Sequence, residues 1–216
     1  MKILVISDVV ENRIYSEHLK SSFPDIDLVL SAGDLPCSYL EYIVSVLNKP
    51  LVYVNGNHDT DASPSGRRID CPGGINAHAR VVKVQGLAIA GLEGSMRYNR
   101  GGCQYTESGM RTQIWKLVPG LLKNRLKSGK FCDILLTHAA PKGIGDAPDL
   151  AHKGFKAFLD FMDDFKPRLL VHGHIHLYDR NAPSTNMYKD TTIVNAYGYK
   201  IIEIDEASPK ITISNI

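Results

Sequence analysis

The residues able to do chemistry in this chain are not scattered. Five short apolar runs each give way, within a few residues, to Asp, Asn or His. Lys2–Ile6 leads to Ser7-Asp8, and Asp27–Ser31 leads to Gly33-Asp34. Leu51–Val54 leads to Gly56-Asn57-His58-Asp59, and Asp133–Leu136 leads to Thr137-His138. Leu169–Val171 leads to His172-Gly173-His174-Ile175-His176. If the runs are strands of an α/β sheet, these residues stand at strand carboxyl ends, where such sheets bind ligands. One edge would then receive Asp8, Asp34, Asn57, His58, His138, His174 and His176. A mixed oxygen and nitrogen donor set without sulfur suits divalent manganese, iron, zinc or nickel rather than calcium or an iron–sulfur cluster. The set is too large for one tetrahedral ion, whereas two ions ~3.5–4 Å apart would use it fully. His174 and His176 share one side of an extended segment and could serve neighbouring ions. Gly33, Gly56 and Gly173 precede candidate donors and allow tight backbone turns beneath them.

In this order the residues resemble the motifs of the calcineurin-like metallophosphoesterase superfamily: D-x-H, G-D, G-N-H-[DE], H and G-H-x-H. The resemblance runs from residue 7 to residue 176, and Asn195–Tyr199 is similar to the strand after the last motif. It implies a four-layer α/β/β/α sandwich, an α/β fold, around a dinuclear centre. One ion would take Asp8, a bridging Asp34 and His176. The other would take Asp34, Asn57, His138 and His174. A hydroxide bridging the ions would attack phosphorus in line, hydrolysing a phosphodiester or phosphomonoester. The cations would lower the pKa of the bound water, orient the phosphate oxygens and neutralise charge in the transition state. His58 would protonate the departing oxygen.

The chain departs from the family pattern at one ligand. Position 10 holds valine where the family has histidine, so the first ion would be held by a thinner and weaker shell. Asn12 matches the Asn of the common S-D-x-H-G-N form. It could touch metal or phosphate, or it could cap the helix that follows. Gly33-Asp34-Leu35-Pro36-Cys37 lacks the extra Asp and Arg of the G-D-x-x-D-R-G motif, which argues against a protein phosphatase. Two further readings stay open: a nuclease of the same superfamily, and a scaffold member that keeps the fold without catalysis, as a retromer subunit does. A nuclease needs a basic track, and Arg67, Arg68, Arg97 and Arg100 offer only part of one. Arg97, Tyr98 and Arg67 are candidate phosphate or base contacts, Arg97 foremost. Asp59 is expected to orient loop backbone and His172 to pack. His18, His78 and His152 carry no motif and are read as ordinary surface or core residues.

The elements that must position these residues alternate through the first half of the chain, as an α/β core requires. Helices are expected over Asn12–Ser22, around Leu40–Leu47, from Met110 to Leu122 with a kink near Pro119, and around Phe155–Met162. Arg80–Val84 and Leu87–Ala90 read as a hairpin, and 59–79 and 91–102 as loops. Three more strands are expected around Ile193, Ile202 and Ile213. With 216 residues, 44% apolar and 22% charged, the chain is expected to form one domain over 1–216 with a real core. A net charge of +2 gives no bulk reason for a nucleic-acid partner, so nucleic acid is not favoured, and the partner expected is the phosphoester itself. No run reaches the ~20 apolar residues of a membrane span, and the start of the chain does not read as a secretory signal. Four widely spaced cysteines, without a CxxC pair, are expected to be reduced in a cytoplasmic setting.

Overall fold

A computed structural model describes residues 1–59, 70–178, 183–205 and 211–214. The first sheet forms from strands β1 (Lys2–Ser7), β2 (Leu28–Ser31), β3 (Leu51–Tyr53) and β4 (Gly74–Asn76), which pair in parallel. The second contains the hairpin β5 (Val81–Val84) and β6 (Leu87–Leu92). A small parallel pair, β7 (Ser95–Met96) and β8 (Gln104–Tyr105), follows it. Strands β9 (Ile134–Thr137) and β10 (Leu169–His172) lie parallel to each other and β9 to β6. Then come β11 (Thr185–Tyr188), β12 (Thr191–Asn195), β13 (Gly198–Ile204) and β14 (Ile211–Ser214). The two large sheets run β14-β13-β1-β2-β3-β4 and β11-β12-β10-β9-β6-β5. Among the described residues, four helices make the crossovers between parallel strands: α1 (Leu19–Ser22), α2 (Cys37–Leu47), α3 (Glu107–Ser128) and α4 (Lys156–Phe165).

Side-chain alternation along the strands builds three apolar layers. Ile3, Val5, Leu28, Leu30 and Val52 meet Ile89, Ile134, Leu136, Leu169 and Val171 between the two sheets. Leu4, Ile6, Val29, Leu51 and Tyr53 turn the other way, onto Leu19 of α1 and Tyr39, Leu40 and Ile43 of α2. Ala88, Ala90, Leu135 and Leu170 pack on Met110, Leu117 and Leu121 of α3 and Phe158, Phe161 and Met162 of α4. The expected four layers, helices outside and two sheets within, are therefore those of the structure. Because both faces of the central strands are buried, the strands read as continuous apolar runs.

Some expectations fail locally. Helix is confined to Leu19–Ser22 of the expected Asn12–Ser22. Residues 11–16 turn instead, with Ile14 and Tyr15 amides donating to the Glu11 carbonyl. Asn12 is exposed and His18, not Asn12, precedes the helix. Helix α3 runs unbroken through Pro119, because Leu117 and Leu121 on either side stay buried against the sheet. Thr106 caps it, accepting from the Gly109 amide, and Gly129 closes it in the left-handed conformation. The expected loop 59–79 includes β4, which extends the first sheet beside β3.

Candidate metal centre

Parallel pairing points the carboxyl ends of β1, β2, β3, β9 and β10 to one edge, and the chain turns sharply there. Asp8, Asp34 and His174 all adopt positive φ, at 64°, 55° and 65°. Such backbone is uncommon for residues other than glycine and clusters at functional sites. The turns are also crowded. A methyl group at Gly56 would lie 2.0 Å from Asp34 Oδ1, and one at Gly173 would lie 1.9 Å from Ser7 Oγ and 2.6 Å from Asp8 Oδ2. Glycine at these places is what lets strand ends from both sheets approach the carboxylates.

Asp34, Asn57 and His138 converge. The His138 ring is fully buried, and its Nδ1 donates to the Ala32 carbonyl at 2.7 Å. In a neutral ring that leaves Nε2 with a lone pair. Two oxygens face it, Asn57 Oδ1 at 3.1 Å and Asp34 Oδ2 at 3.3 Å. Without a metal, a proton on Nε2 would satisfy both oxygens, and a divalent cation seated among the three donors would take that proton's place. Donor atoms of Asp34, His138 and His174 lie within 4.8 Å of one another. Burial alone would push the His138 pKa down, but Asp34, Asp8 and the Ala32 carbonyl together outweigh it and raise it to about 9. Burial would raise Asp34, and His138 together with His58 more than reverses this. Asp34 Oδ1 also accepts the His58 amide at 2.8 Å.

His174 Nε2 donates to the Ala151 carbonyl at 2.8 Å, leaving Nδ1 for a ligand. Burial and the His138 charge lower its pKa to about 3, so the ring is neutral, as metal binding requires. Asp8 accepts the His174 amide at 3.1 and 3.0 Å through its two oxygens, and burial raises its pKa. His176 Nε2 stands 4.0 Å from Asp8 Oδ1, while its Nδ1 meets the Tyr178 hydroxyl at 3.0 Å. The structure thus brings Asp8, Asp34, Asn57, His138, His174 and His176 to one edge, with exposed His58 beside them. Val10, 37% exposed, offers no donor. The donor set fits divalent ions best on the side of Asp34, Asn57, His138 and His174.

Asp59 works on backbone, as its position suggested. Its carboxylate accepts the amides of Asp34 (2.9 Å), Leu35 (3.1 Å) and Gly56 (2.7 Å), and burial raises its pKa to about 6. His172 is buried, and Gly173 O lies 3.0 Å from its Nδ1. Asn12 and Arg97 are exposed, and the Arg97 guanidinium donates to the Gln104 carbonyl at 3.4 Å. Arg67 and Arg68 lie outside the described residues. Two features were not legible. His152 was read as an ordinary histidine, yet its ring lies 5.0 Å from that of His174 and 6.5 Å from that of His176, with Nδ1 against Asp149 at 2.9 Å. The available signal was its loop, which leaves the end of β9 directly after His138. The His78 side chain, 8% exposed, lies against Glu93, whose backbone amide donates to His78 Nδ1 at 3.1 Å.

Residues 1–178 match the calcineurin-like phosphoesterase family, and the chain belongs to that family. TT1561 of Thermus thermophilus shares the fold, with a TM-score of 0.64 at 16% identity over 99% of this chain and 98% of its own. An archaeal phosphodiesterase (TM-score 0.44, 14% identity, 99% of each chain) and a Vps29 variant of Entamoeba histolytica (0.48, 13%, 100% of this chain and 98% of that one) are looser likenesses. No curated protein sequence matches the chain. Among the described residues no helix is long and apolar enough to cross a membrane.

Proposed function

We propose that this protein is a metal-dependent hydrolase of phosphodiester or phosphomonoester bonds. The observation that carries the reading is the convergence of Asp34, Asn57 and His138, with a donor atom of His174 within 4.8 Å of those of Asp34 and His138, on one place that a divalent cation would fit. Asp34, Asn57, His138 and His174 would hold one divalent ion, and Asp8, Asp34 and His176 a second and weaker one, each manganese, iron, zinc or nickel. When bound, such ions supply Lewis-acid charge and lower the pKa of an attacking water. The protein's own groups do the rest. The Ala32 and Ala151 carbonyls fix which nitrogen of His138 and His174 is free. Asp59 holds the Asp34 and Gly56 turns in register. His58, tied to Asp34 through its amide, would give a proton to the departing oxygen. Asn12 and Arg97 are candidate contacts to the substrate.

Hydrolysis of a generic aryl phosphodiester by the purified protein, with and without added manganese, tests this. Manganese-dependent turnover supports it. No turnover with any of the four metals favours the scaffold reading, for which Val10 is the motivating observation. Degradation of DNA or RNA that falls steeply with salt would favour a nuclease.

A further inference from the structure

Tyr98 lies between β7 and β8, and its phenol oxygen accepts the Asn57 Nδ2–H at 3.1 Å. This bond fixes which way round the Asn57 amide sits, with Oδ1 turned to His138 Nε2. A phenol acting as acceptor still has its own proton to give. Among the described residues the Tyr98 hydroxyl makes no second hydrogen bond. The residue is half-buried and firmly held. The Tyr98 and Asn99 amides both donate to Gln104 Oε1, each at 3.1 Å. Gln104 Nε2 and the Gly101 amide both donate to Asn99 Oδ1, at 2.6 and 2.7 Å.

We propose that Tyr98 is a substrate-binding residue: its hydroxyl takes the Asn57 amide hydrogen and donates its own to a non-bridging phosphoryl oxygen. The proposal rests on the phosphoesterase reading of the site. A group that touches Asn57 stands beside the cation place, which is where an anionic phosphoryl group must come. A fixed neutral donor there stabilises the charge without repelling cations, as a lysine at the same position would. It also gives the hydrogen bonds that hold Tyr98 in the loop 97–103 a purpose that exposed Arg97 does not.

The test is calorimetric titration of inorganic phosphate into wild type and Tyr98→Phe. Manganese is held at a concentration that saturates each protein, and the metal content is measured on the same samples. The phosphate affinity of Tyr98→Phe should fall about 10- to 100-fold, the span of one hydrogen bond to a charged group. Equal affinities in the two loaded proteins overturn the proposal, since Tyr98 would then only anchor Asn57. Loaded wild type that binds no phosphate overturns the proposal and the phosphoesterase reading together. If Tyr98→Phe does not fold or load, Gln104→Ala decides, because it frees the loop and keeps the phenol. Weaker phosphate binding by Gln104→Ala supports the proposal, and unchanged binding overturns it.

Discussion

His138 shows how a single side chain is divided between structure and chemistry. One nitrogen is spent on the Ala32 carbonyl, and that choice leaves the other facing Asn57 and Asp34, where the proposed cation would sit. That these residues would meet at one edge was legible because each follows an apolar run in the sequence. His152 and the Asn57–Tyr98 bond were not legible, because they depend on loop paths that no residue pattern encodes. Two predictions belong at this scale. His58→Ala should keep its metals and lose ~10²–10⁴-fold in rate. The loss should shrink for substrates with good leaving groups, which need less protonation. Rates on aryl esters of graded pKa check this, and an equal loss throughout would make His58 a positioning residue. Val10→His should tighten the weaker ion and lower the manganese needed for half-maximal activity, which a metal titration reads. If Asn12 already supplies the missing ligand, Asn12→Ala should loosen that ion alone.

The elements divide into those set by pattern and those set by packing. Strands β1, β2, β3, β9 and β10 were readable because burial on both faces makes them uniformly apolar. Strand β11 was not, since Thr185–Tyr188 alternates exposed and half-buried residues without an apolar run. Strand β4 pairs along the edge of β3, and α3, which carries Pro119, packs its Leu117 and Leu121 against the second sheet. The end of β10 carries a consequence for stability. His172 is buried, its Nε2 has no hydrogen-bond partner among the described residues, and burial lowers its pKa to about 4. The unfolded chain therefore binds a proton near pH 6.5 that the folded chain refuses until about pH 4. Stability from this residue is whole above pH 6.5 and is lost as the pH falls through that window. The slope is about 1.4 kcal/mol per pH unit. His174, also depressed, acts in the same direction. Asp59 and Asp8, whose pKa values burial raises, act in the opposite direction, so the share of His172 is read as a difference. In denaturant unfolding of the metal-free proteins, His172→Phe should lose less stability than wild type as the pH falls from 6.5 to 4, and the same change in both would mean that His172 is not a source.

Across the whole molecule, the two sheets bring their parallel strand ends to one edge, so residues from both halves of the chain meet there. Asp8, Asp34 and Asn57 arrive from the first sheet, His138 and His174 from the second. Gly56 and Gly173 allow the approach. Nothing in composition or net charge foretold that meeting; it followed from the order of the motifs and from strand pairing. Asp34 stands at the junction, bonded to the His58 amide and facing His138. The most direct test is therefore made on Asp34→Asn. Metal content by elemental analysis and aryl phosphodiester hydrolysis would be measured on the same preparations of variant and wild type. Manganese-loaded wild type should hydrolyse the ester, while Asp34→Asn should bind metal far more weakly and lose turnover. A folded Asp34→Asn that holds two ions per chain with wild-type affinity and hydrolyses the ester at the wild-type rate would contradict a metal centre bridged by Asp34.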